Sequence, residues 1–347
     1  GLAAALVLAQ QALPERRNDE PGPAAAATVH RPGLVAPVRG VQPFGLRLPQ
    51  ALAVEQNRPV TARIAVRHQH FRRVKSGHRA SLTILSNAPE SLCLLRLSAL
   101  GDVTHVVPLV RTLQRAWPQL TLDWIIDGGG RKLLDGLPGV RFHLYDKKTG
   151  LAGMRALRAT LPGRFDVLLQ MQVALRANVL SAFVPARRRI GYDRSRSKDL
   201  HGLFVNERIA DRPGIHVLDA IGSFCEPLGL RQDVVTWDLP VPPEAWDWAR
   251  AQWPDDGRRV LMISPCSSHV RRNWYADRYA ALADHAIAQG WRVVLCGGRS
   301  ALERQTADAI AAQMRGPVLD LVGKDTLKQL PALLARADLV VTPDSGP

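Results

Sequence analysis

No methionine occurs before Met154 in this 347-residue chain. Aromatic residues make up only 5% of it. No apolar run reaches the roughly 18 residues that a membrane-spanning helix requires, so none is expected. The apolar opening, residues 1–13, has no basic residue ahead of it and is interrupted by Gln10 and Gln11, which makes a poor signal peptide. Four cysteines (Cys93, Cys225, Cys266 and Cys296) stand singly, without a CxxC pair or a His/Cys cluster at ligand spacing. A metal site is therefore not expected, and the set reads as reduced thiols of a cytoplasmic protein. Neither GxGxxG nor DxD is present, which removes the usual dinucleotide fingerprint and the usual carboxylate pair for a divalent ion.

What is present divides at about residue 84. The net charge is +15, and residues 1–84 carry +8 of it, from twelve Lys and Arg against four Asp and Glu. This segment is rich in Ala, Pro, Arg and Gln and lacks any sustained period. With no early methionine, it reads as an irregular or disordered extension that is not native, with Leu82 or a neighbour standing for an alternative start codon read as Leu. The competing reading is a basic arm touching anionic lipid or nucleic acid. Binding to single-stranded nucleic acid calls for aromatics among the basic residues. The extension holds only Phe44 and Phe71, so no nucleic-acid partner is expected.

From residue 85 the pattern is that of a folded α/β protein. Short apolar runs at residues 92–97, 120–126, 140–145, 165–169 and 188–192 read as buried strands. Amphipathic stretches at 103–117, 151–161 and 174–183 read as helices between them. Repeated βαβ units imply a parallel sheet covered on both faces. Pro240, Pro242 and Pro243 mark a linker, after which the pattern resets. Strands at 260–264, 291–296, 318–322 and 339–342 then alternate with helices at 244–253, 274–289, 300–314 and 326–335. Tyr275, Tyr279, Leu282 and Ala286 are expected on one face of the 274–289 helix, with Gly290 as its left-handed cap. Pro331 is expected to kink the last helix. The domains are thus 1–84, 85–240 and 241–347, the last two being doubly wound parallel-sheet units.

Ligands of open parallel sheets bind beyond the carboxyl ends of strands. Three segments lie there. In RLSALGDVTH, residues 96–105, Gly101 permits a tight turn and Asp102 sits at a helix start. Asp102 is either an N-cap or a carboxylate facing a cleft. In SPCSSHVRRNW, residues 264–274, Ser264, Ser267 and Ser268 precede Arg271 and Arg272. Hydroxyls and guanidinium groups at a helix entrance suit a diphosphate, while a solvated basic loop is the alternative. In TPDSGP, residues 342–347, a strand runs into Asp344, Ser345 and Gly346, which form an anion cradle or an ordinary Asx turn.

Taken in order, RLSALGDVTHVVPLVRTLQ, SPCSSHVRRNWYADRYAALA, GWRVVLCGG and LVGKDTLKQLPALLARADLVVTPDSGP resemble the signatures of glycosyltransferase family 9, the bacterial heptosyltransferases of lipopolysaccharide core assembly. The resemblance covers about residues 91–347, and the family's closing helices lie beyond it. It implies a GT-B-like fold, with two Rossmann-like domains across a cleft. It further implies inverting, metal-independent transfer of heptose from ADP-heptose to a lipid A-linked core acceptor, with no cofactor. By the same resemblance Asp102 matches the general base. Ser267, Ser268 and Arg272 match donor-phosphate contacts, and Glu303 a looser ribose contact. Asp344, Ser345 and Gly346 match phosphate and sugar contacts. A carboxylate positioned on an acceptor hydroxyl contributes roughly 10²–10⁴ in rate. The implied setting is peripheral, on the cytoplasmic face of the inner membrane. The alternatives are another GT-B transferase with a different nucleotide sugar, or an inactive fragment.

Overall fold

In a computed structural model of the chain, residues 88–232, 235–343 and 345–346 are described; the extension 1–84 and Asp344 lie outside these residues. The expectation of an irregular segment therefore concerns residues not described. Two all-parallel sheets organise the rest, one of six strands and one of four.

The first sheet has the order β3-β2-β1-β4-β5-β6. Its strands are β1 (Ser91–Leu95), β2 (Thr121–Ile126), β3 (Arg141–Leu144), β4 (Phe165–Gln170), β5 (Ala186–Gly191) and β6 (Glu207–Arg208). Leu92 and Leu94 point into a core with Val107, Val110, Trp124 and Phe224. Cys93 and Leu95 point into the opposite core, with Tyr145, Phe165 and Leu180. Period-two alternation of wholly apolar residues therefore buries both faces, as in a sheet sandwiched by helices.

The helices of this half are α1 (Leu100–Thr104), α2 (Val107–Ala116), α3 (Gly128–Leu134), α4 (Gly150–Thr160), α5 (Leu175–Ala182) and α6 (Val217–Gly222). The single helix expected over 103–117 is two. Pro108 is the second residue of α2 and has no N–H to offer the Thr104 carbonyl, so α1 ends there. The glycines 128–130 open α3. Asp127 caps it, accepting from Gly130 N–H at 2.9 Å.

The second sheet has the order β10-β7-β8-β9, from β7 (Val260–Ile263), β8 (Arg292–Leu295), β9 (Leu319–Asp320) and β10 (Leu339–Val341). Its helices are α7 (Pro243–Gln252), α8 (Ala276–Ala288), α9 (Ala301–Ala311) and α10 (Gln329–Ala335). Leu261 and Ile263 face the α8 core, and Val260 and Met262 face Ala249, Trp253 and Leu333. Tyr279, Leu282 and Ala286 are buried as expected, but Tyr275 is half exposed because the helix begins one residue after it. Gly290 takes φ +80° at the end of α8. Pro331 falls in the first turn of α10, where its missing N–H costs no hydrogen bond, so it need not kink the helix.

Lys328 joins the two sheets' surroundings. Its ammonium donates to the carbonyls of Leu133 at 2.9 Å, Asp135 at 2.6 Å and Pro240 at 2.6 Å. All four cysteines are buried thiols, none joined in a disulfide. Among the described residues no helix is long and apolar enough to cross a membrane.

Candidate active site

Beyond the end of β1 the chain turns through residues 96–99 into α1. The Ser98–Ala99 peptide is cis. Arg96 reaches the Met171 carbonyl with one terminal nitrogen and forms an ion pair with Asp102 through the other. Its main-chain carbonyl accepts from Trp124 Nε1 at 3.0 Å. Trp124 thus fixes the Arg96 backbone and the Met171 carbonyl its guanidinium, and the guanidinium fixes the carboxylate.

Asp102 is not the N-cap of α1. That position is Ala99, which has no side-chain acceptor, and Asp102 stands at the third helical residue. From there its Oδ2 accepts the Ala99 N–H at 3.1 Å. This is the returning half of a capping box. The side chain remains 37% exposed, so the carboxylate can be reached from solvent while held from two sides.

Three residues along the same helix face lies His105, which sequence reasoning left unassigned although the motif contains it. Its ring meets His216 edge-on at 6.0 Å and Trp237 at 6.4 Å. Burial and the neighbouring His216 lower its pKa, while Asp102 pulls the other way. Its Nδ1 has no hydrogen-bond partner among the described residues. Tyr192 is buried nearby. Burial raises its pKa, and Arg96 opposes that shift.

A cavity of about 180 Å³ opens at the carboxyl ends of β1 to β4. Ser98, Asp127, Tyr145, Lys147, Gln172 and Arg176 contribute to its wall. Gln172 Oε1 accepts the Leu97 N–H at 2.7 Å, which ties the β1 loop to the β4 loop. The cavity brings two cations, the Asp127 carboxylate, two hydroxyls and the Gln172 amide together, and none of these residues was singled out from sequence. They come from four separate loops, and no local motif joins them.

In the second half, the loop after β7 carries the serines and arginines. The Ser267 hydroxyl donates to the His269 carbonyl at 3.0 Å and accepts the His269 N–H at 3.1 Å. Its own N–H is bound by Asn273 Oδ1 at 2.7 Å. Ser267 is therefore buried and shapes the loop, whereas Ser268 is exposed. Of the three hydroxyls Ser264, Ser267 and Ser268, the first two are buried and only Ser268 is exposed, a tight local turn having taken up Ser267. Arg271 and Arg272 are exposed on a short 3₁₀ turn, Val270–Arg272.

Glu303 is the third residue of α9 and closes a complete capping box with Ser300. It accepts from the Ser300 hydroxyl at 2.6 Å and, through its other oxygen, from Gly298 N–H at 2.6 Å. The GWRVVLCGG loop is thereby locked onto α9. After β10, Thr342 and Ser345 share a hydroxyl–hydroxyl hydrogen bond of 2.7 Å. Gly346 is exposed and abuts the start of α1: a Cβ placed on Gly101 would lie 3.7 Å from its carbonyl oxygen. The first and last of the three motifs therefore meet, and Asp102 adjoins the point of contact.

The family model for glycosyltransferase family 9 (heptosyltransferase) matches residues 154–347. The lipopolysaccharide core heptosyltransferase OpsX of Haemophilus influenzae is 38% identical over 267 residues, covering 77% of this chain and 77% of that protein. A family 9 glycosyl transferase from Veillonella parvula superposes with a TM-score of 0.64 at 22% identity, covering 74% of this chain and 76% of that one. The heptosyltransferase WaaC of E. coli, solved with ADP, superposes with a TM-score of 0.60 at 20% identity, over 74% of this chain and 82% of that one. Paired parallel α/β sheets, with the first and last motif loops meeting, define a GT-B-like fold. The chain belongs to glycosyltransferase family 9, the heptosyltransferases.

Proposed function

We propose that this enzyme transfers a heptose from ADP-heptose to a sugar of the lipid A-linked lipopolysaccharide inner core, with inversion at the anomeric carbon. The observation that carries the reading is the Asp102 carboxylate, oriented by Ala99 N–H and Arg96, partly open to solvent and next in the chain to Gly101, which abuts Gly346. Asp102 takes the proton of an acceptor hydroxyl as its oxygen attacks the anomeric carbon. The bond from that carbon to the diphosphate breaks, and ADP leaves with the electron pair. Exposed Arg272 and Ser268, with the Ser345–Gly346 turn, face the charge that develops on the diphosphate. Asp344, outside the described residues, joins this donor group by its place in the motif. Ser267 acts by holding the loop, and Glu303 by holding the loop that faces the nucleoside, the one remaining lone pair of its Oε1 being left for the ribose.

The cavity with Lys147 and Arg176 is the acceptor side, since two cations against the single carboxylate of Asp127 leave a net positive wall that suits an acidic core sugar. Because that acceptor is lipid-anchored, the enzyme works as a peripheral protein at the cytoplasmic face of the inner membrane. The experiment is Asp102→Asn, assayed with ADP-heptose and for ADP binding by calorimetry. Transfer should fall by about 10²–10⁴ with ADP affinity kept. Near-normal turnover would leave Asp102 with the capping role alone. Stabilisation by UDP or GDP beyond that by ADP would point to a different nucleotide sugar.

A further inference from the structure

The loop between β5 and β6 bears two of the most exposed large apolar side chains of the described residues. Leu200 is 66% exposed and Leu203 is 78% exposed. Leu175, the first residue of α5, is 51% exposed. The loop is held to α5 by a specific set of bonds. Asp199 Oδ2 accepts the Leu175 N–H at 3.0 Å. The buried Asn178 amide donates to the Asp199 carbonyl at 2.9 Å, and His201 Nδ1 lies 2.8 Å from Asn178 Oδ1. Leucines on a slack loop would be unremarkable, but these are displayed by a pinned one.

The backbone points the same way. Asp199 and Leu200 have φ of +51° and +61°, a left-handed conformation that side chains other than glycine rarely adopt. Two such residues in succession persist because Asn178, His201 and Leu175 overdetermine the turn. The outcome of that strain is Leu200 directed outward instead of into the core.

Charge accompanies the leucines. Arg194 and Lys198 are exposed on the same loop, and Arg176 is exposed next to Leu175. Asp199, the only acid between residues 194 and 203, turns one oxygen inward to Leu175 N–H. Apolar side chains ringed by cations are what an anionic bilayer surface binds, the leucines entering the headgroup boundary and the cations staying at the phosphates. The patch is also continuous with the proposed acceptor cavity, because Ala174, Arg176 and Ala177 at the start of α5 line it.

We propose that residues 194–203 together with Leu175 form the bilayer-contact surface, seating Leu200 and Leu203 among anionic lipid headgroups beside the acceptor cavity. The proposal rests on the reading of a lipid-anchored acceptor. A sugar fixed to a membrane has little reach, so docking beside its cavity shortens the path it must span.

The test uses the full chain and flotation with vesicles of phosphatidylethanolamine and phosphatidylglycerol. The double variant Leu200→Ser with Leu203→Ser should bind about tenfold more weakly, from partial loss of two buried leucines. Arg194→Glu with Lys198→Glu should lower binding to these vesicles more than to phosphatidylcholine alone. Transfer to a deacylated, water-soluble acceptor should be unchanged in both variants, which also shows that they fold. Transfer to acceptor embedded in vesicles should fall with binding. Wild-type binding by the leucine variant, or no vesicle binding by the wild type, overturns the proposal. Failure of the wild type to use even the soluble acceptor would instead count against the proposed reaction, while the flotation result stands by itself.

Discussion

Gly101 and Gly346 touch across the two halves of the molecule: a Cβ on Gly101 would stand 3.7 Å from the Gly346 carbonyl oxygen and 3.8 Å from its Cα. That separation is ordinary van der Waals contact for one methyl group and leaves no room for more. Gly101→Ala should therefore keep stability and ADP affinity, with some gain from the better helix propensity of Ala. Gly101→Leu must displace the Gly346 turn, at the 1–3 kcal/mol typical of overpacking, and should weaken ADP binding about tenfold. Calorimetric titration of both variants decides it; equal affinities would mean that the turn moves freely.

Arg272 and Arg271 sit side by side on the exposed 3₁₀ turn, so their sequence positions alone do not rank them. The donor reading assigns the diphosphate to Arg272. Charge-assisted hydrogen bonds contribute about 1.5–3 kcal/mol. Arg272→Ala should accordingly weaken ADP affinity by about tenfold to a hundredfold, and Arg271→Ala by much less. Small, equal losses would reduce the pair to a solvated basic loop.

His201 gives the fold a defined acid sensitivity. Its Nε2 accepts the Tyr192 N–H at 3.1 Å, and burial, reinforced by Arg208, lowers its pKa to about 4. In the unfolded chain the imidazole titrates near 6.5, so below that pH the unfolded state binds the extra proton. The contribution is complete above about pH 6.5 and is lost as the pH falls toward 4, by about 2 kcal/mol at about pH 5. Urea midpoints of the wild type should drop over this window. His201→Gln should be less stable at neutral pH but show a flatter pH slope, and an identical slope would remove His201 as the cause.

Lys328 is the clearest tie between the second half, the linker and α3, with its three carbonyl acceptors. Desolvation lowers its pKa, and nearby Asp135 opposes the shift. Lys328→Met leaves those carbonyls without their donor and should cost about 1.5–3 kcal/mol. If the tie couples the halves, the variant should also unfold in two steps where the wild type unfolds in one. Unchanged stability and a single transition would show that the halves are held together elsewhere.

Much of this architecture was legible in the apolar pattern. Leu92 to Leu95 and Val260 to Ile263 are continuous apolar runs, and such runs become central parallel strands because both faces of the sheet are covered. Helix limits were less legible where a single residue outweighed the period. Pro108 divides one expected helix into two, and Asp127 turns three glycines into a helix start. The α6 segment, Val217–Gly222, escaped notice because six residues are too few to display a helical period.

The candidate site was legible as three motifs but not as a geometry. The sequence by itself determined two parallel sheets, their strand ends and the loops rich in Gly, Ser, Asp and Arg, because hydrophobic period and turn chemistry are local properties. It also carried the family signatures in order. Only the tertiary structure decided that Asp102 is the third residue of its helix and not the cap, since that depends on where Ala99 and Arg96 place their donors. Only it decided that Ser267 turns inward while Ser268 faces out, and that Lys147 and Arg176 share a cavity. Above all, it brought Gly101 against Gly346. Contacts between segments so far apart in the chain are set by how two cores pack, and a local reading of sequence contains no term for that.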